Sequence, residues 1–178
     1  MALDKRTIGK IAERIAMNEL EAHGYRATDL NKDGVSANAD LLAARDGRVW
    51  QIQVKGSVNK PTDRWWVGYG HCTPEIIRRE RAVFNSKDSF YKAEFVVFVA
   101  AKSPSDYRCF VLPVAKAELA AQLNLDAYYR KPRKRDGGER RPGKVWVHVE
   151  ASKNERIDES LKKRERTLLQ KYENAWDF

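Results

Sequence analysis

Asp40 and the triplet Gln53-Val54-Lys55 are the residues of this 178-residue chain best suited to carry chemistry. They sit on two apolar runs, Ala39-Asp40-Leu41-Leu42-Ala43-Ala44 and Val49-Trp50-Gln51-Ile52-Gln53-Val54-Lys55, with Arg45-Asp46-Gly47-Arg48 between them. An Asp-Gly pair between two strand-like runs is a hairpin signal. Side chains alternate along a strand, so Gln51, Gln53 and Lys55 share one face while Trp50, Ile52 and Val54 share the other. Closing the hairpin brings Asp40 towards Gln53 and Lys55. One acid, one amide oxygen and one ammonium then converge on a small volume, which suits a divalent cation and a phosphate.

The elements that would position these groups follow from periodicity. Residues 5 to 23 predict a helix ended by Gly24. At 100° per residue, Lys10, Arg14, Asn18 and Glu21 form its polar side, and Ile8, Ile11, Ala12, Ile15, Ala16, Met17 and Leu20 cover the rest. Glu13 and Glu19 intrude on that apolar surface, where a carboxylate is costly unless something pairs with it. Tyr25 to Leu30 reads as a first strand, and Arg64 to Tyr69 as an extension of the sheet. Thr73-Pro74-Glu75 opens a helix running to about Phe84. Ala93 to Ala100 is a continuous apolar run, the pattern of a strand buried on both faces. Cys109 to Val114 is another strand, Lys116 to Leu123 a helix, and Val145 to Val149 a late edge strand. Glu155 to Trp176 predicts a charged helix. The whole is expected to be one α/β domain over 1–178, a mixed central sheet flanked by helices. It would carry a basic loop at 130–144 and a C-terminal helix at 155–176.

Charge narrows the function class. There are 34 Lys and Arg against 25 Asp and Glu, a net +9 that favours polyanionic partners. Much of it is clustered in Arg130-Lys131-Pro132-Arg133-Lys134-Arg135 and Arg140-Arg141-Pro142-Gly143-Lys144, a segment suited to tracking a phosphate backbone or to being a solvated loop. Two cysteines, Cys72 and Cys109, and three histidines show no zinc-type spacing, so a structural zinc site is not expected and the thiols read as reduced. No apolar run reaches bilayer-spanning length and no signal-peptide pattern opens the chain, so a cytoplasmic protein is expected, nucleoid-associated in a bacterium or archaeon.

The helix with an inward Glu, the Asp on one strand and the Gln-x-Lys on the next resemble the PD-(D/E)XK nuclease superfamily. The local text is most similar to archaeal-type Holliday-junction resolvases: Gly9-x-Ile11-Ala12-Glu13, Ala39-Asp40-Leu41-Leu42 and Gln53-Val54-Lys55-Gly56-Ser57. Motif support covers the first third of the chain. Gln53 departs from the usual acid of the last motif, so a metal there would be held by less charge. The resemblance implies a restriction endonuclease-like fold and a Mg²⁺- or Mn²⁺-dependent DNA endonuclease, with no organic cofactor and a homodimeric assembly. Glu13, Asp40, Gln53 and Lys55 would be catalytic, and Asp40, the Gln53 side-chain oxygen, the Val54 carbonyl and Glu13 would hold the metal. Glu13 is preferred to Glu19 as the helix acid because of its place in the motif.

A nucleic-acid surface is expected from Ser57, Lys60, Arg64, Trp65, Arg78, Lys131, Arg133, Lys134 and Arg135. Trp65 could stack on a base, or one of Trp65 and Trp66 could pack in the core while the other covers the sheet. Two competing readings stand beside the nuclease: a catalytically silent nucleic-acid-binding module on the same fold, and a subunit docking on a protein partner.

Overall fold

The computed structural model describes residues 4–31, 39–58, 64–68, 90, 93–130, 144–148 and 159–178. Helix α1 (Lys5–Ala22) opens the chain. Asp4 caps it, accepting the backbone N–H groups of Arg6 and Thr7 at 2.9 Å each. Gly24, at φ +81°, follows its last turn.

Strands β1 (Arg26–Asp29), β2 (Leu41–Arg45) and β3 (Arg48–Val58) then form an antiparallel meander. The β2–β3 turn places Asp46 at φ 51° and Gly47 at φ 75°, the two positive angles a tight hairpin requires. The register sets Leu41 against Ile52 and Arg45 against Arg48, so the hairpin forms where Asp-Gly predicts it. Strand β5 (Phe95–Ser103) lies parallel to β3, and β6 (Asp106–Pro113) returns antiparallel. The result is a mixed five-stranded sheet in the order β1-β2-β3-β5-β6.

Both faces of β5 are buried, which explains its unbroken apolar run. Val97, Val99 and Ala101 join Ile52, Val54, Leu41 and Ala43 beneath Ala12, Ile15, Ala16 and Leu20 of α1. Val96, Phe98 and Ala100 face the other way, against Ala117, Ala120 and Ala121 of α2 (Val114–Arg130) and Leu169 of α3 (Glu159–Gln170). The sheet is thus sandwiched between α1 on one side and α2 with α3 on the other.

Two expectations are corrected. Strand β4 (Arg64–Gly68) does not extend the central sheet. It pairs with β7 (Lys144–His148) in a separate two-stranded sheet, Trp65 against Val147 and Val67 against Val145, and Trp65, Val67 and Val147 pack into the α2 face. Nor does the last helix reach Trp176. It ends at Gln170, after which the backbone crosses the edge strand β6: Val111 donates to the Tyr172 carbonyl and Asn174 to the Cys109 carbonyl, both at 2.9 Å. Arg108 clamps this crossing through two hydrogen bonds to the Glu173 carboxylate, at 2.7 and 2.9 Å. The segment covers an edge that would otherwise expose unpaired backbone groups. Cys109 beneath it is unoxidised, and burial pushes its thiol up to about 12. The expected helix at 73–84, the loop residues 131–143 and Cys72 lie outside the described residues.

Candidate active site

Asp40 immediately precedes β2 and continues its ladder, donating its N–H to the Ile52 carbonyl at 2.9 Å and accepting Leu30 N–H at 3.0 Å. This pins its Cα opposite Gln53. One carboxylate oxygen, Oδ2, accepts the Val54 backbone N–H at 2.7 Å and a side-chain N–H of Gln53. The other, Oδ1, accepts the Asn31 amide at 3.1 Å. Asn31 also reaches Glu13 Oε1, at 3.5 Å, so a single amide bridges the two carboxylates.

Glu13 owes its position to a close helix–strand approach. A Cβ built on Gly56 would stand 2.6 Å from the Ala12 Cβ and 3.1 Å from the Ile8 carbonyl oxygen. Only glycine on β3 lets α1 lie this low, and Glu13 is the next residue along the helix. Gly9, one turn back, stands beside the carboxylate: a Cβ there would make ordinary contact, 4.0 Å from Glu13 Oε1. The faces of the sheet are divided. Ile52 and Val54 lie under α1, so Gln53 and Lys55 lie on the opposite face, in register with Val96 and Phe98. Asp40, just before β2, bonds to Gln53 on that face and shares Asn31 with Glu13 of α1.

The electrostatics match a site built for positive charge. Burial, with the negative charges of Asp40 and Asp29, pushes the Glu13 carboxyl above its usual range, against the opposing pull of Asn31 and Lys10. A carboxyl whose folded pKa lies above its unfolded value costs stability once it ionises, and the cost disappears below the unfolded pKa. Glu13→Gln is therefore expected to raise the thermal midpoint at neutral pH in chelator. The gain should fade as pH falls through the raised pKa and vanish below the ordinary carboxylate range. Paired melts across the acid range check this, and a gain that persists at the lowest pH contradicts the assigned cause.

The structure thus brings Glu13, Asp40 and Gln53 together and sets Lys55 two residues along the same strand face as Gln53. Asn31 was not anticipated from sequence. Its N–H closes a local turn on Asp29 Oδ1 at 2.8 Å, which is all its neighbours in sequence would suggest. Glu19 lies apart, accepting the Tyr107 hydroxyl at 2.6 Å, a bond that pushes that phenol up to about 12.

Among the expected nucleic-acid contacts, Ser57 is half-buried on β3 and Arg64 opens β4. Trp65 is corrected: it is 1 % exposed, packs on Phe98 and Phe110, and donates its indole N–H to the Val99 carbonyl at 2.9 Å. Buried, and with its donor used in the core, it has nothing to offer a base. Lys60, Arg78, Lys131, Arg133, Lys134 and Arg135 lie outside the described residues.

The donor set is all oxygen and carries two carboxylates, which suits a hard divalent cation that keeps some of its water. Among the described residues no group of three or more His, Cys, Asp or Glu is arranged to hold a metal, so water and phosphate oxygens would have to complete the shell. Also among the described residues, no helix is long and apolar enough to cross a membrane.

No protein-family model matches the chain, and no curated protein matches it. Among solved structures it is similar to that of a bacterial homing endonuclease, I-Ssp6803I, at 17% sequence identity and a TM-score of 0.43, covering 98% of this chain and 90% of that one.

Proposed function

We propose that the chain is a divalent-metal-dependent DNA endonuclease whose centre is Glu13, Asp40, Gln53 and Lys55. The observation that carries this reading is the pairing of the Glu13 and Asp40 carboxylates across one amide, in reach of the Gln53 side chain. Like charges held this close are destabilising in a protein left to itself and useful in one that binds a cation.

Asp40, the Gln53 side-chain oxygen, the Val54 carbonyl and Glu13 would hold Mg²⁺ or Mn²⁺. When bound, such a cation supplies Lewis acidity, polarising a phosphate and lowering the pKa of water. Asp40 is the fixed point, because the Val54 N–H holds one of its oxygens in place. Glu13 would accept the proton of the attacking water at a carboxylate oxygen not engaged by the cation. Attack of that water on phosphorus breaks one P–O ester bond. Lys55 would stabilise the charge that gathers on the phosphoryl oxygens. A junction-type or restriction- and homing-like substrate, and a homodimer that cuts both strands, belong to the same proposal.

One feature favours the alternative of binding without cleavage. The amide groups of Asn31 and Gln53 already donate to Asp40, and Gln53 brings no charge of its own. For cleavage, Gln53 must turn its oxygen towards the cation, a rotation that exchanges two nearly isosteric ends.

End-labelled four-way junction, flap, duplex and single strand, each incubated with Mg²⁺, Mn²⁺ or EDTA, test the proposal. Metal-dependent cutting of at least one DNA is expected. Tight binding with no cutting under any metal sinks the nuclease reading and leaves the silent module.

A further inference from the structure

We propose that the exposed face of α1 bearing Arg6, Lys10 and Arg14, with Asn18 beyond, seats a nucleic-acid phosphate backbone beside the Glu13–Asp40 centre. It rests on the reading above for the identity of the polyanion.

These residues recur every fourth position, so they form one row that rises about 6 Å per step. All four are exposed. They line, together with Glu13 and Asn31, a single open groove of about 720 Å³. The row therefore shares its depression with Glu13 and with Asn31, the amide that reaches on to Asp40.

Helix stability does not account for the row. Arg6–Lys10 and Lys10–Arg14 are like-charged pairs at i,i+4, which repel. The row also begins at the N-terminal end of α1, where the helix dipole disfavours positive charge and the first turn holds no acidic residue. Among the described residues, none of the three side chains makes a hydrogen bond or an ion pair within 4 Å; Lys10 acts only through its charge on Glu13. A run of like charge that repels along its own helix, with Glu13 alone feeling Lys10 and no hydrogen bond or ion pair to the described residues, is the kind of local conflict expected of a surface kept for a ligand. Negative charge in the groove sits at Glu13 and Asp29 and, at the far end of α1, Glu21. A cation at the first two would remove the repulsion between that end of the row and an arriving phosphate.

The test is fluorescence anisotropy of a labelled four-way junction and a labelled duplex with the full chain, in chelator, across a salt series. R6Q/K10Q/R14Q is compared with K116Q/K163Q/R164Q, which removes the same three charges from exposed positions on α2 and α3, on the opposite face of the sheet. The α1 variant should bind at least about tenfold more weakly, and its salt slope should fall by about 2 to 3, the release expected from three phosphate contacts. The control should move little. Restoring charge with R6K/K10R/R14K should restore binding, and the α1 variant should melt no lower than the parent. An α1 variant that binds like the control overturns the inference, even if the parent cuts DNA. A parent that binds here yet cuts no DNA with Mg²⁺ or Mn²⁺, but loses affinity in the α1 variant, upholds it while removing the nuclease reading. A parent that binds neither DNA overturns the inference, and one that also cuts none with Mg²⁺ or Mn²⁺ overturns both.

Discussion

Replacing Asp40 with asparagine is expected to lower phosphodiester cleavage about 10³-fold, or about 4 kcal/mol of transition-state stabilisation. Asparagine keeps an oxygen for the Val54 N–H that is 2.7 Å away, and it keeps the shape of the side chain. It removes the negative charge that the proposed cation needs. The choice of substitution matters, because alanine would strand the part-buried Val54 N–H and Gln53 amide. An unsatisfied buried donor costs about 1–3 kcal/mol, so an inactive alanine variant would mix loss of chemistry with loss of structure. Single-turnover cleavage, together with a thermal melt and DNA affinity in chelator, reads the three effects separately. A D40N protein that cuts as fast as the parent would remove Asp40 from the centre. One that is inactive, folded and still binding would place its role in the chemical step.

What sequence revealed of this site was what local chemistry encodes. Asp46-Gly47 set the hairpin turn and, with it, the register that puts Asp40 across from Gln53. Strand alternation then settled which face Lys55 shares. The 3.6-residue period found α1 and its buried stripe, and the odd position of Glu13 in that stripe marked a carboxylate needing a partner. The partner itself was not legible. Asn31 reaches Glu13 and Asp40 only because β1 returns beside β2, and a single asparagine after a strand reads as a turn residue. Trp65 failed for a similar reason. Tryptophan beside arginine is the composition of a stacking platform, but β4 finds its pairing partner some eighty residues later in β7, and that long-range pairing turns Trp65 into the core. The close approach at Gly56 also has no signature in one sequence, since a glycine in a strand fits a bulge, a bend or a packed helix equally well. The amphipathic pattern of α3 continues through Tyr172, so the sequence predicts a longer helix than the one that ends at Gln170. The backbone beyond Gln170 gains more from hydrogen bonds to the exposed edge of β6 than from further helical turns.

Trp176→Ala is expected to destabilise the fold by about 3–5 kcal/mol, the cost of emptying a large buried aromatic site. Trp176 is 1 % exposed and stacks on His23 at 5.7 Å, just past the end of α1. Its carbonyl accepts the Tyr25 hydroxyl at 2.7 Å, and that same hydroxyl accepts the Phe178 N–H at 3.2 Å. Phe178 in turn stacks on Phe95 and Tyr25 and meets Trp50 edge-on. The last residues thus join α1, β3 and β5 from outside the sheet, binding together the elements that carry Glu13 and Gln53. At this chain length the loss corresponds to a fall in Tm of about 10 °C. Among the described residues the buried indole N–H of Trp176 has no hydrogen-bond partner, so its value to the fold is packing and not polarity. Trp176→Phe should therefore cost far less than Trp176→Ala, since it keeps an aromatic ring and removes an unsatisfied donor. Urea unfolding of the three proteins distinguishes the contributions. Equal losses for Phe and Ala would mean that the indole's shape or donor matters in a way the packing does not show. Cleavage by the alanine variant, measured well below its Tm, should stay within the parent's range, because Trp176 holds the supporting elements in place without touching the carboxylates.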